Sequence, residues 1–511
     1  MNCVGNKFLA RANNILGQFE SPQIPYRYVL FTFFFAVTLR NFLETYLNGE
    51  IASPDLLSDL AHYYLSYACL AMALTILFHF ATKVPIETIS RVILPSFLIL
   101  ILPPVTWMLV PSWRNFGIGY MFPDTHPDIL SRFLTFFGPL DDSGVTQGMR
   151  IEIALAVGAS FIYFILKGRN FLRSLGFSLL TYALIFFYCA LPFACWTLMR
   201  ALGPGDEITT QAMTDFLLLL ILALAFWQFY LYNKTYFTEI FKDIRPLRLL
   251  HFEFMFFLGA ALAEATHPYP LTPDSSSFFH GIFLMTAIGF GWLFAVTTNN
   301  MADYDIDVVT NPQRPTVTKV IPAGHYRYFP WLFGGLAMIY SGAVDSVSLF
   351  LMLVFMGNYF LYSMPPLRLK RVTFFSKLLI SFNSLVLVLL GHLFHSGDFG
   401  IPLSVIFFFL VCVTAAMNFI DIKDYEGDKK AGVKTLPVVL GLETSKKMIG
   451  VFFIISYTAA GLAFSNSMPL LIMAGGAGVA QFLLINKKPY REDHVLLVYL
   501  LSLAVLFFLL R

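Results

Sequence analysis

The chain has 511 residues, of which 57% are hydrophobic and 13% charged, and its mean hydropathy is +0.70. Soluble domains run near 45–50% apolar and about 25% charged, so the composition excludes a water-soluble fold and indicates an all-α, polytopic membrane protein. A formal charge of +3, spread over many short loops, gives no ground for nucleic-acid binding.

The first 25 residues are polar and hold no apolar h-region, so no cleaved leader is expected and the first span serves as its own insertion signal. A span needs about 20 mostly apolar residues. Six such runs precede residue 240, near 27–46, 62–81, 91–111, 151–167, 174–200 and 213–233. Nine follow, near 247–264, 278–298, 328–345, 347–362, 374–395, 401–420, 445–464, 467–486 and 494–511. The reading is a six-helix membrane domain over 1–241, joined by a 234–246 linker to a nine-helix bundle over 242–511.

Charge supports this count, because cytoplasmic loops carry the excess of Lys and Arg. In the second half the basic residues of the loops fall in one set of them, from Lys234 and Arg245 through Arg314 and Arg371 to Lys488 and Arg491. The alternate loops, at 265–277, near 346, 396–400 and 465–467, hold none. The first half follows more weakly: Arg114 and Arg132 fall on an outer loop, 112–149, and the acidic loop 47–61 lies outside. The expectation is an integral protein of the cell (inner) membrane, with the N-terminus inside and the C-terminus outside.

Cys3, Cys69, Cys189, Cys195 and Cys412 show neither zinc nor redox spacing. Arg40 and Glu44, four apart in the first span, read as a local ion pair. His392 and His395 fall at the outer end of their helix and read as structural. Residues 1–241 carry no constellation comparable to those described next. A role in substrate delivery, product reception or partner binding is motivated there only by covalent fusion, and any protein partner is unknown.

Two acidic segments follow apolar runs on the basic side of the membrane. The first is NNMADYDIDVVTNPQRP, residues 299–315. If helix continues through it at about 100° per residue, Asn299, Asn300, Asp303 and Asp307 share one face and Asp305 points away. The second is MNFIDIKDYEGDKKAGVKTLPV, in which the same rotation puts Asp421, Asp424 and Asp428 on one face, within about 120° of Asn418. Carboxylates this close repel, and each costs about 2.5–3.5 kcal/mol at a bilayer centre. Neutralisation by a cation explains them, and oxygen ligands favour Mg²⁺, which is usually shared between one or two carboxylates and substrate phosphates. Arg245, Arg314, Lys370, Arg371 and Lys423 lie on the same side, as a diphosphate between Mg²⁺ ions and basic side chains requires. A lipid-linked diphosphate at a membrane site suggests ionisation of an isoprenyl diphosphate.

These motifs give residues 242–511 a resemblance to the UbiA-type intramembrane prenyltransferase superfamily. Its N-D-x-x-D-x-x-x-D motif stands here as Asn299-Asn300-Met301-Ala302-Asp303-Tyr304-Asp305-Ile306-Asp307. Its second motif stands as Asp424-Tyr425-Glu426-Gly427-Asp428, followed by Gly432-Val433-Lys434-Thr435-Leu436-Pro437-Val438, with the YSxPPxRLKR segment at Tyr362–Arg371 between them. Asn300 departs from the usual Asp and removes one negative charge, and NPQRPTVTKVIPAG lacks the usual short Arg-Pro-x-x-x-G spacing.

The resemblance implies nine helices and Mg²⁺-assisted departure of diphosphate, giving an allylic cation trapped by an aromatic or other polar acceptor. It implies that Asp303, Asp307, Asp424 and Asp428 are catalytic metal ligands, joined by Asn299 and Asp421. Arg314 and Lys370 would contact the diphosphate, with Arg245, Asn300, Tyr362 and Lys423 completing that set. A terpene cyclase on the same scaffold and a non-catalytic transporter or lipid-binding protein are the alternatives. Spacing does not disclose the acceptor or the prenyl chain length.

Overall fold

The computed structural model describes residues 2–48, 56–113, 120–124, 126–139, 145–202, 209–266, 275–464 and 468–510. Arg114, residues 49–55 of the 47–61 loop, residues 267–274 of the 265–277 loop and the 465–467 loop lie outside these, so the expectations placed on them are not addressed. The described residues are helical without strands, so each span satisfies its backbone within itself inside lipid. Twelve of the described helices are long and apolar enough to cross a membrane.

Each of the fifteen expected runs is helical. The three that are not among those twelve are Tyr26–Asn48, Phe329–Gly342 and Glu492–Leu510. One expected run is split: 174–200 forms Phe171–Cys189 and Leu191–Leu202, because Pro192 has no N–H to continue the ladder. The expected linker at 234–246 contains a further helix, Lys234–Lys242.

The chain divides into two compact units, Met1–Lys234 with Pro273–Ser276, and Thr235–Thr272 with Ser277–Arg511. The first unit buries an aromatic core that includes Phe33, Phe97, Phe137, Phe164 and Phe186. Its intramembrane polar groups close on one another. Arg40, 3% exposed, lies 3.5 Å from Glu44 as expected, and 4.0 Å from Glu152 on another helix. Ser66 Oγ meets the hydroxyls of Tyr120 and Tyr188, both at 2.5 Å.

In the second unit, Pro246–Thr266 packs closely along Thr373–Ser396. Gly259 and Gly391 make this possible, since a Cβ on either would strike the facing helix's backbone, at 2.0 Å from the Val388 oxygen and 1.8 Å from the Phe256 oxygen. Around this pair stand Ser346–Ser363, Glu492–Leu510 and the segment that begins at Leu403. That last segment winds as π-helix over Phe408–Val413 and as 3₁₀ over Met417–Ile420 before Asp421–Ala431. A π-turn followed by a tighter turn changes the rotation that a uniform 100° per residue assumes, which matters for the second acidic segment.

Candidate active site

The first acidic segment is two helices rather than one. Ser275–Ala302 stops, and Asp303, at φ −104° and ψ 13°, starts Tyr304–Thr310. A helix end leaves carbonyls without partners, and here the Arg368 guanidinium donates to the Ala302 oxygen at 2.7 Å. The same group meets the Asp303 carboxylate at 2.7 Å, and Lys370 pairs with that carboxylate too. Arg368 reaches both from a left-handed backbone position, φ 43°, in the turn after Ser346–Ser363. The break still leaves Asp303 and Asp307 on the pocket and Asp305 exposed, as the helical rotation anticipates.

Asp307, 2% exposed, pairs with Arg314 and accepts from Asn311 Nδ2 at 3.0 Å. Burial raises its carboxyl above the ordinary range, against the pull of Arg314. Asn299 accepts from Lys370 Nζ at 3.0 Å and from Ser363 Oγ at 3.2 Å. Burial lowers the Lys370 ammonium, with Asp303 opposing the shift. Arg245 is lowered to about 10 by burial, then by its neighbours Arg314 and Arg248.

The second segment comes alongside the first: Asp421–Ala431 packs on Tyr304–Thr310. Asp421 accepts from Lys377 Nζ at 2.5 Å, and its other oxygen is buried with no hydrogen-bond partner. Asp424 and Asp428 face the same pocket, as does Lys423, whose ammonium lies 2.5 Å from Glu492.

One pocket thus gathers Asn299, Asp303, Asp307, Asp421, Asp424 and Asp428 with Arg245, Arg314, Tyr362, Lys370 and Lys423. The exception among the expected residues is Asn300. It is wholly buried and contacts Arg245 and Arg314, which line the pocket, while it does not line the pocket itself. Asn418 also departs: its amide, within the 3₁₀ turn Met417–Ile420, turns back to the Thr414 and Ala415 carbonyls of its own segment.

The pocket also contains groups that the motif reading passed over. Lys377 and His251 lie inside apolar runs, where an ionisable side chain is by itself a functional signal. His251 is engaged on both ring nitrogens, by Ser384 Oγ and by the Tyr499 hydroxyl, each at 2.9 Å. Phe252, Trp292 and Tyr359 form an aromatic wall with centroids 5.2–6.0 Å apart. No motif singles these three out among 56 Phe and 24 Tyr. A second cavity of about 270 Å³ is lined almost wholly by apolar side chains and shares Met417, Phe419 and Tyr499 with the polar pocket.

The donor set fits a hard divalent cation. It is oxygen-rich, its carboxylates converge from two segments, and one Asp421 oxygen is buried without a partner. Among the described residues no three or more His, Cys, Asp or Glu form a ready cage. Mg²⁺ usually completes its shell with phosphate oxygens and water.

Comparison with known proteins bears on the same region. The UbiA prenyltransferase family matches residues 254–508. Digeranylgeranylglyceryl phosphate synthase of Thermococcus sibiricus is 28% identical over 219 residues, 43% of this chain and 74% of that protein. The chloroplastic chlorophyll synthase of Oryza sativa subsp. japonica is 27% identical over 229 residues, 39% of this chain and 57% of its own length. Homogentisate phytyltransferase of a Synechocystis strain is 28% identical over 185 residues, 33% of this chain and 57% of that protein. A solved UbiA homologue from Archaeoglobus fulgidus, bound to GPP and Mg²⁺, aligns with a TM-score of 0.43 at 18% identity, covering 53% of this chain and 99% of that one. Through residues 254–508 the chain belongs to the UbiA prenyltransferase family, as an integral membrane prenyltransferase.

Proposed function

We propose that residues 242–511 transfer an isoprenyl group from an isoprenyl diphosphate to an aromatic or other polar acceptor, releasing diphosphate within the membrane. The carrying observation is the junction of two cavities. A pocket holding both carboxylates and cations opens beside an apolar one, as a ligand with a diphosphate head and a hydrocarbon tail demands. Digeranylgeranylglyceryl phosphate synthase and chlorophyll synthase, among the relatives, are consistent with this class.

Asp303, Asp307, Asp421, Asp424 and Asp428, with Asn299, would hold Mg²⁺, which when bound supplies Lewis-acid charge to the leaving group. Arg245, Arg314 and Lys370 bind and orient the diphosphate oxygens, with Tyr362 and Lys423 at the margin of the same pocket. As the bond from C1 to oxygen breaks, its electron pair passes to the diphosphate, and these fixed cations lie where that charge grows. Phe252, Trp292 and Tyr359 line the pocket, where aromatic rings would stabilise a cation and exclude water. The acceptor's nucleophile then closes the new bond to C1, and the proton it carried passes to the released diphosphate or to water. By the distribution of Lys and Arg, these loops face the cytoplasm of the cell membrane. The first unit is assigned no chemistry.

The test uses membranes bearing the full chain, labelled geranylgeranyl diphosphate and a host metabolite extract, with Mg²⁺ or with EDTA. The expected outcome is Mg²⁺-dependent diphosphate release with a lipid product bearing a new polar head. A hydrocarbon or prenyl alcohol would replace the transferase by a cyclase. No release with any chain length would overturn both.

A further inference from the structure

Position 300, where the family motif carries Asp, is occupied by an amide with all four of its hydrogen bonds made. Its Nδ2 donates to the Asp243 carboxylate and to the Tyr326 hydroxyl at 3.0 Å. Its Oδ1 accepts from Arg314 at 3.0 Å and from Arg245 at 3.4 Å. Asp243 also stands 3.9 Å from Arg245 Nε. Asn300 is wholly buried and Tyr326 is 2% exposed. The two arginines line the polar pocket, whereas Asp243 and Asn300 do not.

We propose that Asp243 and Asn300 act as one positioning unit that holds Arg245 and Arg314 toward the pocket, with Asp243 supplying the carboxylate that position 300 lacks. This rests on the reading that those arginines bind the diphosphate. The charge logic is restrictive. Asp at 300 facing Asp243 would put two carboxylates in contact and remove the N–H that joins them, at a site where burial penalises both. Amides at both positions would leave Arg245 with no carboxylate behind it, although Arg314 would keep Asp307. Only one acid and one amide satisfy the site, and either order does so, because the Tyr326 hydroxyl can donate as readily as accept. An Asp at 300 would therefore be tolerated only with an amide at 243.

The experiment compares the full-length chain with Asn300→Asp, Asp243→Asn and the reciprocal swap carrying both changes. KM for geranylgeranyl diphosphate is measured apart from kcat, together with the thermal transition and its shift by inorganic diphosphate with Mg²⁺. Each single change is expected to raise KM about tenfold, the size of a lost charge-assisted hydrogen bond, and the swap to return it to within about threefold of the starting value. If either single variant fails to fold, a folded swap with near-normal KM still supports the pairing. A swap as weak as the two losses combined, a swap that does not fold, or a silent Asp243→Asn would overturn it. A starting chain that neither turns over nor gains thermal stability from diphosphate would instead remove the diphosphate reading, and this inference with it.

Discussion

The two acidic segments share a sequence pattern, yet they occupy different electrostatic settings. In the first, Asp303 is paired with Arg368 and Lys370, and Asp307 with Arg314. In the second, Asp421 has Lys377, while the neighbouring Lys423 and Arg248 are drawn to Glu492. Both pocket-lining carboxylates of the first segment are thus held in ion pairs, whereas in the second the close pairing falls on Asp421 and the nearby cations are shared with Glu492. The difference teaches that equal motifs need not have equal roles. On the proposed reading the second segment would be the stronger attractor for a cation, and the first would couple its carboxylates to the side chains that hold an anion.

That contrast can be broken in several ways. The largest expected effect comes from Asp303→Ala and Asp424→Ala, each lowering Mg²⁺-dependent diphosphate release on the order of a hundredfold or more while the protein stays in the membrane. An alanine variant of either with full activity would remove that segment from the site. The contrast is sharpened by titrating Mg²⁺. Asp424→Asn and Asp428→Asn should raise the half-saturating Mg²⁺ concentration about tenfold. Asp307→Asn should mainly raise KM for the prenyl diphosphate, because it releases Arg314. Equal Mg²⁺ shifts in both segments would erase the distinction.

The pH dependence of kcat/KM gives a smaller effect that reports the unliganded protein. Since burial raises Asp307, its useful anion is lost as pH falls, beginning above the ordinary carboxylate range. Since burial lowers Lys370, its useful cation is lost as pH rises, beginning below the ordinary lysine range. Lys370→Arg should move the alkaline limb upward, as guanidinium stays charged; an unmoved limb would assign it elsewhere. The smallest effect is expected from Asp305→Ala, within about twofold of the starting activity, as for other exposed positions outside such machinery.

The sequence by itself determined the membrane class, the positions of fifteen helical runs and the two acidic segments. Each of these follows from local hydropathy and periodicity, which need no knowledge of neighbours. It also singled out eleven residues that the fold gathers into one pocket, because carboxylates spaced along one face at two helix ends stand out from the loop cations that topology alone explains. Only the tertiary structure decided the rest. The break at Asp303 is capped by Arg368 and Lys370, more than sixty residues away, and Asn418 turns back to its own segment in a 3₁₀ turn that no residue type announces. Lys377, His251, Glu492 and the Phe252–Trp292–Tyr359 wall acquire meaning from their contacts across helices. Asn300 shows the difference most sharply: its identity reads as a missing charge, and the fold brings the carboxylate of Asp243 against it.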